Sequence, residues 1–463
     1  MGFLIGCSDP TDKHVPASEE KALHTSGVIS RYHALLNEPH SMPLAHRGFI
    51  VGIEKAPRAL IGYARNTPDS SRLNAPDRMP PEAGPKDLEN QVWTYNRAFT
   101  EPKLMFVSHI LQYGPEARGN GMEVRQLHST YSGSALHPVT NPLETETNLP
   151  ANVYEHSWAA MEQLERAIDQ EVALAKAEGH PFTHILFLSM GWNNDQIEAL
   201  ERYNSIVQTT RNAAGGSEKF DPLVIGITWP SVWGGTSVLD IANRALHIGS
   251  YGVKSVDADE IGYSYANYIM NSILPKIENK HHIGTVAIGH SMGARIMTRA
   301  YYSGELLKNA PQRMEKGPLV IGLQGAFSAN RFRPGYELVP VVRWLFHGEG
   351  APYQDHTYPN GDLVLTWSEK DRANPVARFA TGARHVGGKT GETTIKSTPA
   401  LSEKFVFFDW PKGGLTADYC PKDQQGSKVA YINATQIIQS HGDIRNPDVG
   451  DLIWKTIACY RGH

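Results

Sequence analysis

The sequence predicts an α/β protein: a mostly parallel central sheet with helices on both faces, preceded by a loop-rich N-terminal extension. Three observations predict it. From residue 158 onward, short apolar runs alternate with stretches of helical period. Runs that are apolar on successive residues suit strands buried on both faces, and a strand–helix alternation supplies the layers that bury them. No stretch approaches 18 consecutive apolar residues, so no membrane-spanning helix is predicted.

The chain has 463 residues, 40% of them hydrophobic and 20% charged. That composition fills a sizeable core and does not suit a disordered chain. The net charge is -4, from 44 basic against 48 acidic side chains. Without a basic surplus, a nucleic-acid partner is not expected.

Residues 8–103 are polar and proline-rich, with runs such as Pro68-Asp69-Ser70-Ser71 and Arg78-Met79-Pro80-Pro81, and carry no long periodicity. They read as loops. Leu104–Tyr113 and Met122–His128 read as strands. The chain therefore divides into 1–150, an extension whose early strands are open to integration into the core, and 151–463, the main α/β unit. Trp158, Met161, Leu164, Ile168 and Val172 recur at spacings of three and four, which puts them on one helical face, and Gly179 suits the helix end.

Strand runs follow at His184–Met190, Leu223–Trp229, Thr285–His290, Leu319–Ala326, Leu363–Ser368 and Phe405–Phe408. Helical patterns fall at Gln196–Val207, Asp257–Leu274 and Met292–Leu306. Right-handed crossovers place the loops that follow such strands on one sheet edge, where ligands bind. Residues 328–361 are rich in Pro, Tyr and Phe and interrupt two core strands. They read either as a lid over that edge or as a structural excursion.

The most informative segment is Gly289-His290-Ser291-Met292-Gly293, a G-x-S-x-G pattern between a β-branched strand and a helix. A serine hydroxyl exposed on a tight strand-to-helix turn needs room two residues to either side, hence the glycines. The new helix also points free N–H groups and its positive dipole end at the site. The bland reading is an ordinary turn with an inert serine.

A serine is a poor nucleophile near neutral pH and needs a base, itself oriented by an acid. In G-x-S-x-G enzymes the acid and then the histidine follow the serine along the chain. Asp371, after the strand Leu363–Ser368, is the expected acid, with Glu369 and Asp362 as alternatives. His441 is the expected base, ahead of His347, His356, His385 and His463. It precedes a final helix that Asn446 can cap and Pro447 can begin. His290 is expected to pack against the sheet.

A tetrahedral oxyanion needs two amide donors. The Met292 N–H is one. Gly191 and the Trp192 N–H, after the strand Ile185–Met190, are expected to supply the second. The alternative is a plain turn with Asn193 or Asn194 capping the next helix. Trp229, Trp233 and Gly234-Gly235 follow a strand at the same edge and read as pocket wall, although a core position suits Trp229 equally.

Three cysteines are present, Cys7, Cys420 and Cys459, and their spacing fits no metal site. Leu4-Ile5-Gly6-Cys7 is similar to a bacterial lipoprotein box, but the preceding apolar run is too short for a signal segment. Lipidation at Cys7 and an accidental match both stand. In an exported protein Cys420 and Cys459 could pair, closing a loop of about 40 residues around His441, worth about 3–4 kcal/mol.

Together these segments resemble the α/β-hydrolase superfamily. More narrowly they resemble its bacterial serine-hydrolase-like members, in which a strand ending H-G-Y/F-N-N is followed by one ending W-P-S and then a G-H-S-M-G elbow. Here they stand as Met190-Gly191-Trp192-Asn193-Asn194, Thr228-Trp229-Pro230-Ser231 and Gly289–Gly293. The likeness covers roughly residues 180–305 and extends loosely through Asp371 and His441. One departure is Met190, where the family carries a histidine that braces the loop.

The resemblance implies an α/β-hydrolase fold and cleavage of a carboxylic ester or related acyl bond, esterase- or lipase-like, with no cofactor and no metal. The expected partner is a small-molecule, lipid or polymer ester. An envelope location with a lipid anchor at Cys7 is expected, and a cytoplasmic one is the alternative. A hydrolase-fold scaffold without turnover and an acyltransferase are the competing functional readings.

Overall fold

The computed structural model describes residues 43–55, 105–115, 122–130, 153–191, 194–229, 231, 254–255, 257–304, 317–333, 353, 361–371, 384–414, 420–422, 426 and 428–462. Within them lies one ten-stranded sheet in the order β3-β2-β1-β5-β4-β6-β7-β8-β10-β9. Its strands are β1 Gly48–Lys55, β2 Met105–Pro115, β3 Met122–Ser129, β4 His184–Ser189, β5 Pro222–Thr228, β6 Gly284–His290, β7 Leu319–Leu323, β8 Asp362–Trp367, β9 Phe405–Asp409 and β10 Val429–Asn433. β1 lies antiparallel to β2 and β2 antiparallel to β3, while every pairing from β1 through β5 to β9 is parallel.

Strand alternation divides the interior into two layers. On one face Ile185, Phe187, Ile225 and Ala287 pack with α1 (Val153–Ala177), α3 (from Tyr265 to His281) and α4 (Met292–Tyr301). On the other, Leu186, Leu188, Val286 and Ile288 pack with α2 (Gln196–Ala214) and α6 (Pro447–Arg461). α3 runs Tyr265–Tyr268, passes through a π-helical turn Ile269–Ile273 and continues as Leu274–His281; α5 is Lys389–Ser397. A helix was expected to stop at Leu274, before Pro275. The π turn instead absorbs the proline, whose missing N–H and bulky ring disturb the preceding turn.

Most expected elements occur within a few residues of their predicted bounds. The five apolar positions from Trp158 to Val172 are all buried, and Gly179 has a φ of 80°. Two strands were missed. Gly48–Lys55, read as part of a loop-rich extension, is β1 in the sheet interior. Polar flanks hid it, and its glycines are steric: a Cβ on Gly52 would lie 2.1 Å from the His109 ring. The strands before residue 150 thus pair into the same sheet as those after it. Val429–Asn433, to which the sequence pattern assigned no element, is β10, so Phe405–Asp409 is not the last strand. β7 ends at Leu323 rather than Ala326, because Gln324 takes a φ of 48° and turns the chain.

The segments after β4, β5, β6, β7, β8 and β10 all emerge at one edge. That edge carries the site. Among the described residues no helix is long and apolar enough to cross a membrane.

Candidate active site

Ser291 stands between β6 and α4 with φ 57° and ψ -118°. Such a conformation is sparsely populated for a residue with a Cβ and costs about 1–3 kcal/mol. Its backbone is held on both sides: Ser291 N–H donates to Leu323 O at 2.9 Å, and Ala326 N–H donates to Ser291 O at 3.0 Å. The flanking glycines are required. A Cβ on Gly289 would meet Gly293 O at 2.3 Å, and one on Gly293 would meet Ser189 O at 2.0 Å.

His441 Nε2 is 2.8 Å from Ser291 Oγ, and its Nδ1 is 2.8 Å from Asp371 Oδ2. The three predicted side chains therefore form one hydrogen-bonded row. Asp371 is buried and His441 is a quarter exposed, so the base lies open to solvent and the acid does not. Glu369 is exposed, and Asp362 begins β8 at the opposite edge of the sheet. Neither alternative carboxylate shares the place of Asp371. A turn sets Asp371: Ser368 O accepts from Asp371 N–H at 3.3 Å, while Ser368 Oγ donates to Ile438 O at 2.9 Å and ties this turn to the loop bearing His441. Asn446 caps α6 through the Val449 N–H and donates to Ile437 O and Asp443 O, closing that loop from the other end.

Gly191 brings backbone against the nucleophile. A Cβ there would lie 2.6 Å from Ser291 Cβ and 3.0 Å from Ser291 Oγ. Met292 opens α4, where a first-turn N–H has no intrahelical partner. Trp192 and Asn193 lie outside the described residues, as do Trp233, Gly234 and Gly235.

No protein-family model matches the chain, and no curated protein does.

Side chains from beyond β5 brace the loop after β4. Trp229 Nε1 donates to Met190 O at 3.1 Å, and its ring is buried in the core. Of the two places open to Trp229, the core is the one it takes, and its indole holds Met190, the position at which the resemblance implied a histidine. Ser231 Oγ donates to Asn194 O at 2.7 Å and accepts from Asn194 N–H at 3.0 Å, and Asn194 Nδ2 donates to Gly191 O at 2.9 Å. Asn194 is thus a loop brace. The helix cap is Asp195, whose side chain and Glu198 form a capping box.

His290 does more than pack against the sheet. Its Nε2–H donates to His441 O at 2.8 Å. Burial, then the neighbouring His441 and Arg202, hold its pKa well below the ordinary range, so the ring is neutral. His385, fully buried near the same place, is lowered to about 3 by burial, then by Arg295, Arg331 and His441. Gln324, just past β7, donates from Nε2 to Asp371 Oδ2 at 3.0 Å. Positive φ at a non-glycine would have marked it, but no sequence pattern reports that angle.

Cys420 and Cys459 are disulfide-bonded with Cα atoms 5.3 Å apart, and His441 lies within the 39-residue loop they close. Of the 328–361 insertion, only 328–333, 353 and 361 are described. Its Arg331 makes a bidentate pair with Asp259, at 2.8 and 2.7 Å. Arg295 of α4 pairs with the same carboxylate at 3.1 and 2.6 Å. The foot of the insertion is thereby fastened to the helix that begins at the nucleophile. Cys7 lies outside the described residues.

Proposed function

We propose that this chain is an α/β-hydrolase-type serine hydrolase that cleaves carboxylic ester bonds through an acyl-enzyme intermediate. The observation that carries the reading is the row Ser291–His441–Asp371 at the carboxyl edge of a parallel sheet, with Ser291 on a strained elbow. A strained turn costs stability, and an inert serine gives no reason to keep it.

In this reading His441 Nε2 takes the Ser291 proton as Oγ attacks the ester carbonyl carbon. Asp371 holds Nδ1–H and stabilises the imidazolium. The carbonyl oxygen becomes an oxyanion facing the Met292 N–H and the backbone that follows Gly191, with the Trp192 N–H as the second donor. Collapse expels the alkoxide, which takes the proton from His441 and leaves as the alcohol. Water then repeats the attack with His441 as base and releases the carboxylic acid and free Ser291.

The substrate is a small-molecule, lipid or polymer ester, and its acyl length is set by the wall of the site. A disulfide persists in oxidising compartments, so the Cys420–Cys459 bond favours export to the bacterial envelope over the cytoplasm. A lipid anchor at Cys7 fits that location.

The test is an alkyl fluorophosphonate probe with p-nitrophenyl esters of increasing acyl length. Wild type should label at Ser291 and turn over, and Ser291→Ala should do neither. A wild-type protein that folds but neither labels nor turns over would leave the scaffold reading in its place. Ester product formed from added alcohol would point to acyl transfer.

A further inference from the structure

We propose that Gln324 is a positioning residue: it clamps the Asp371 carboxylate to the His441 loop and sets the basicity that the imidazole presents to Ser291. The inference rests on the hydrolase reading and deepens it.

Gln324 is fully buried, and its backbone lies in the left-handed region at φ 48°. A side chain there is uncommon, and the conformation suits glycine or asparagine better. What glutamine contributes is reach. Its Nε2 donates to Asp371 Oδ2 at 3.0 Å and to Ser440 O at 3.3 Å. Both partners are acceptors, so the nitrogen and not the oxygen must face them, and the amide orientation is settled. One planar amide thus joins the acid to the residue next to the base. The backbone N–H of Gln324 donates to Thr366 Oγ1 at 3.1 Å, fixing it against β8, the strand that leads to Asp371.

This placement has a cost. Gln324 Oε1 is buried without a hydrogen-bond partner among the described residues. A buried unsatisfied acceptor and a left-handed side chain both weigh against glutamine here on stability alone.

The electrostatic consequence follows from the shared oxygen. Asp371 Oδ2 accepts from both His441 Nδ1 and Gln324 Nε2. A neutral donor on that oxygen draws off part of its charge and weakens its hold on the imidazolium. Without it, the imidazolium is held more tightly and gives up its proton at higher pH.

Among the described residues, other titratable and charged groups also surround the pair. From the elbow come Ser291 and His290, whose ring lies 4.8 Å from that of His441. From the loop before α5 comes His385, with Arg295 and Arg331 near it, and Arg202 of α2 acts on His290. On the flanking loops, Glu369 and Lys370 are exposed, and Asp443 accepts from Gln439 N–H at 2.9 Å.

The experiment compares wild type with Gln324→Met and Gln324→Asn. Methionine keeps the length without the donor. Asparagine keeps an amide and suits the backbone, but is one methylene too short to reach Asp371. For p-nitrophenyl acetate, both variants should lose about tenfold in kcat with little change in KM. The acid limb of kcat/KM, and of the fluorophosphonate labelling rate, should move up by about half a pH unit or more in Gln324→Met. Histidine Cε1–H NMR, assigned with His441→Gln, should show the same move in the imidazole titration.

An unchanged acid limb in a folded Gln324→Met would overturn the proposal, and so would wild-type kinetics in Gln324→Asn, which would assign the position to backbone geometry alone. If wild type neither labels nor turns over, the hydrolase reading falls, and the NMR titration alone decides whether Gln324 governs the pair.

Discussion

The ring of His290 donates a 2.8 Å hydrogen bond to the backbone carbonyl of His441, so the residue before Ser291 holds the residue whose imidazole reaches the Ser291 hydroxyl. The two are 151 positions apart in the chain. β6 thereby leads into Ser291 and also fixes the loop of His441. Because burial keeps His290 neutral, its Nε2–H donates across the working pH range without titrating.

Removing that donor should loosen the base without disturbing the serine. His290→Phe is expected to reduce kcat for p-nitrophenyl esters by about tenfold, the worth of one buried hydrogen bond, with KM nearly constant. Steady-state kinetics on the two proteins test it. Wild-type kcat in the variant would show that the loop is held by its other contacts.

At Gly191 the outcome follows from sterics. A Cβ would sit 2.6 Å from Ser291 Cβ, so Gly191→Ala must push the chain after β4 off Ser291. Turnover should fall by about 10²–10³, the usual loss when an oxyanion donor is displaced. Thermal melting should show a folded protein. Undiminished turnover would mean that this loop contributes no donor.

Asp259 holds the insertion foot to α4. Burial alone would raise its pKa, but Arg295 and Arg331, then Arg299, hold it well below the ordinary carboxylate range. Asp259→Asn leaves buried guanidinium groups without that carboxylate. The expected cost is about 3–5 kcal/mol, the range for breaking a buried ion pair from one side. Urea unfolding measures it, and a loss below about 1 kcal/mol would assign the cluster no structural weight.

Acid should destabilise the fold before carboxylates titrate. His385, lowered to about 3, and His290 stay neutral in the folded protein, whereas an unfolded histidine protonates near its reference value of about 6.5. Stability is therefore full above that value and declines as pH falls below it. For His385 the decline ends near pH 3, where the folded form also takes the proton. Each such histidine contributes a slope of about 1.4 kcal/mol per pH unit. Urea midpoints at pH 7 and pH 5 check it, and His385→Phe, if it folds, should show a shallower decline.

Reduction gives a separate prediction. The Cys420–Cys459 bond closes a 39-residue loop that contains β10 and His441. Its loss should lower unfolding stability by about 3–4 kcal/mol by releasing entropy in the unfolded chain. Cys420→Ala with Cys459→Ala, unfolded beside wild type in urea, measures it; equal midpoints would mean that the bond does not form in solution.

Much of the sheet was legible because strands buried on both faces write continuous apolar runs, as at His184–Ser189 and Gly284–His290. β1 and β10 escaped because each is set among polar residues, so their assignment depends on what they pair with. β1 is recognised by β2 and β5, and β10 by β8 and β9. That pairing is long-range and leaves no local period.

By itself the sequence singled out the three residues that the structure joins in one hydrogen-bonded row: a serine between two obligatory glycines, a carboxylate after a late strand, and a histidine before a capped terminal helix. Those are local facts, because turn sterics and capping are decided by neighbours in the chain. Only the tertiary structure decided how the three are held. The donation of Gln324 to Asp371, the support of His441 by His290, and the bracing of Met190 by Trp229 join residues from 39 to 151 positions apart. Such contacts depend on the order in which strands lie side by side and on a backbone angle at residue 324, and neither quantity is written in any short stretch of sequence.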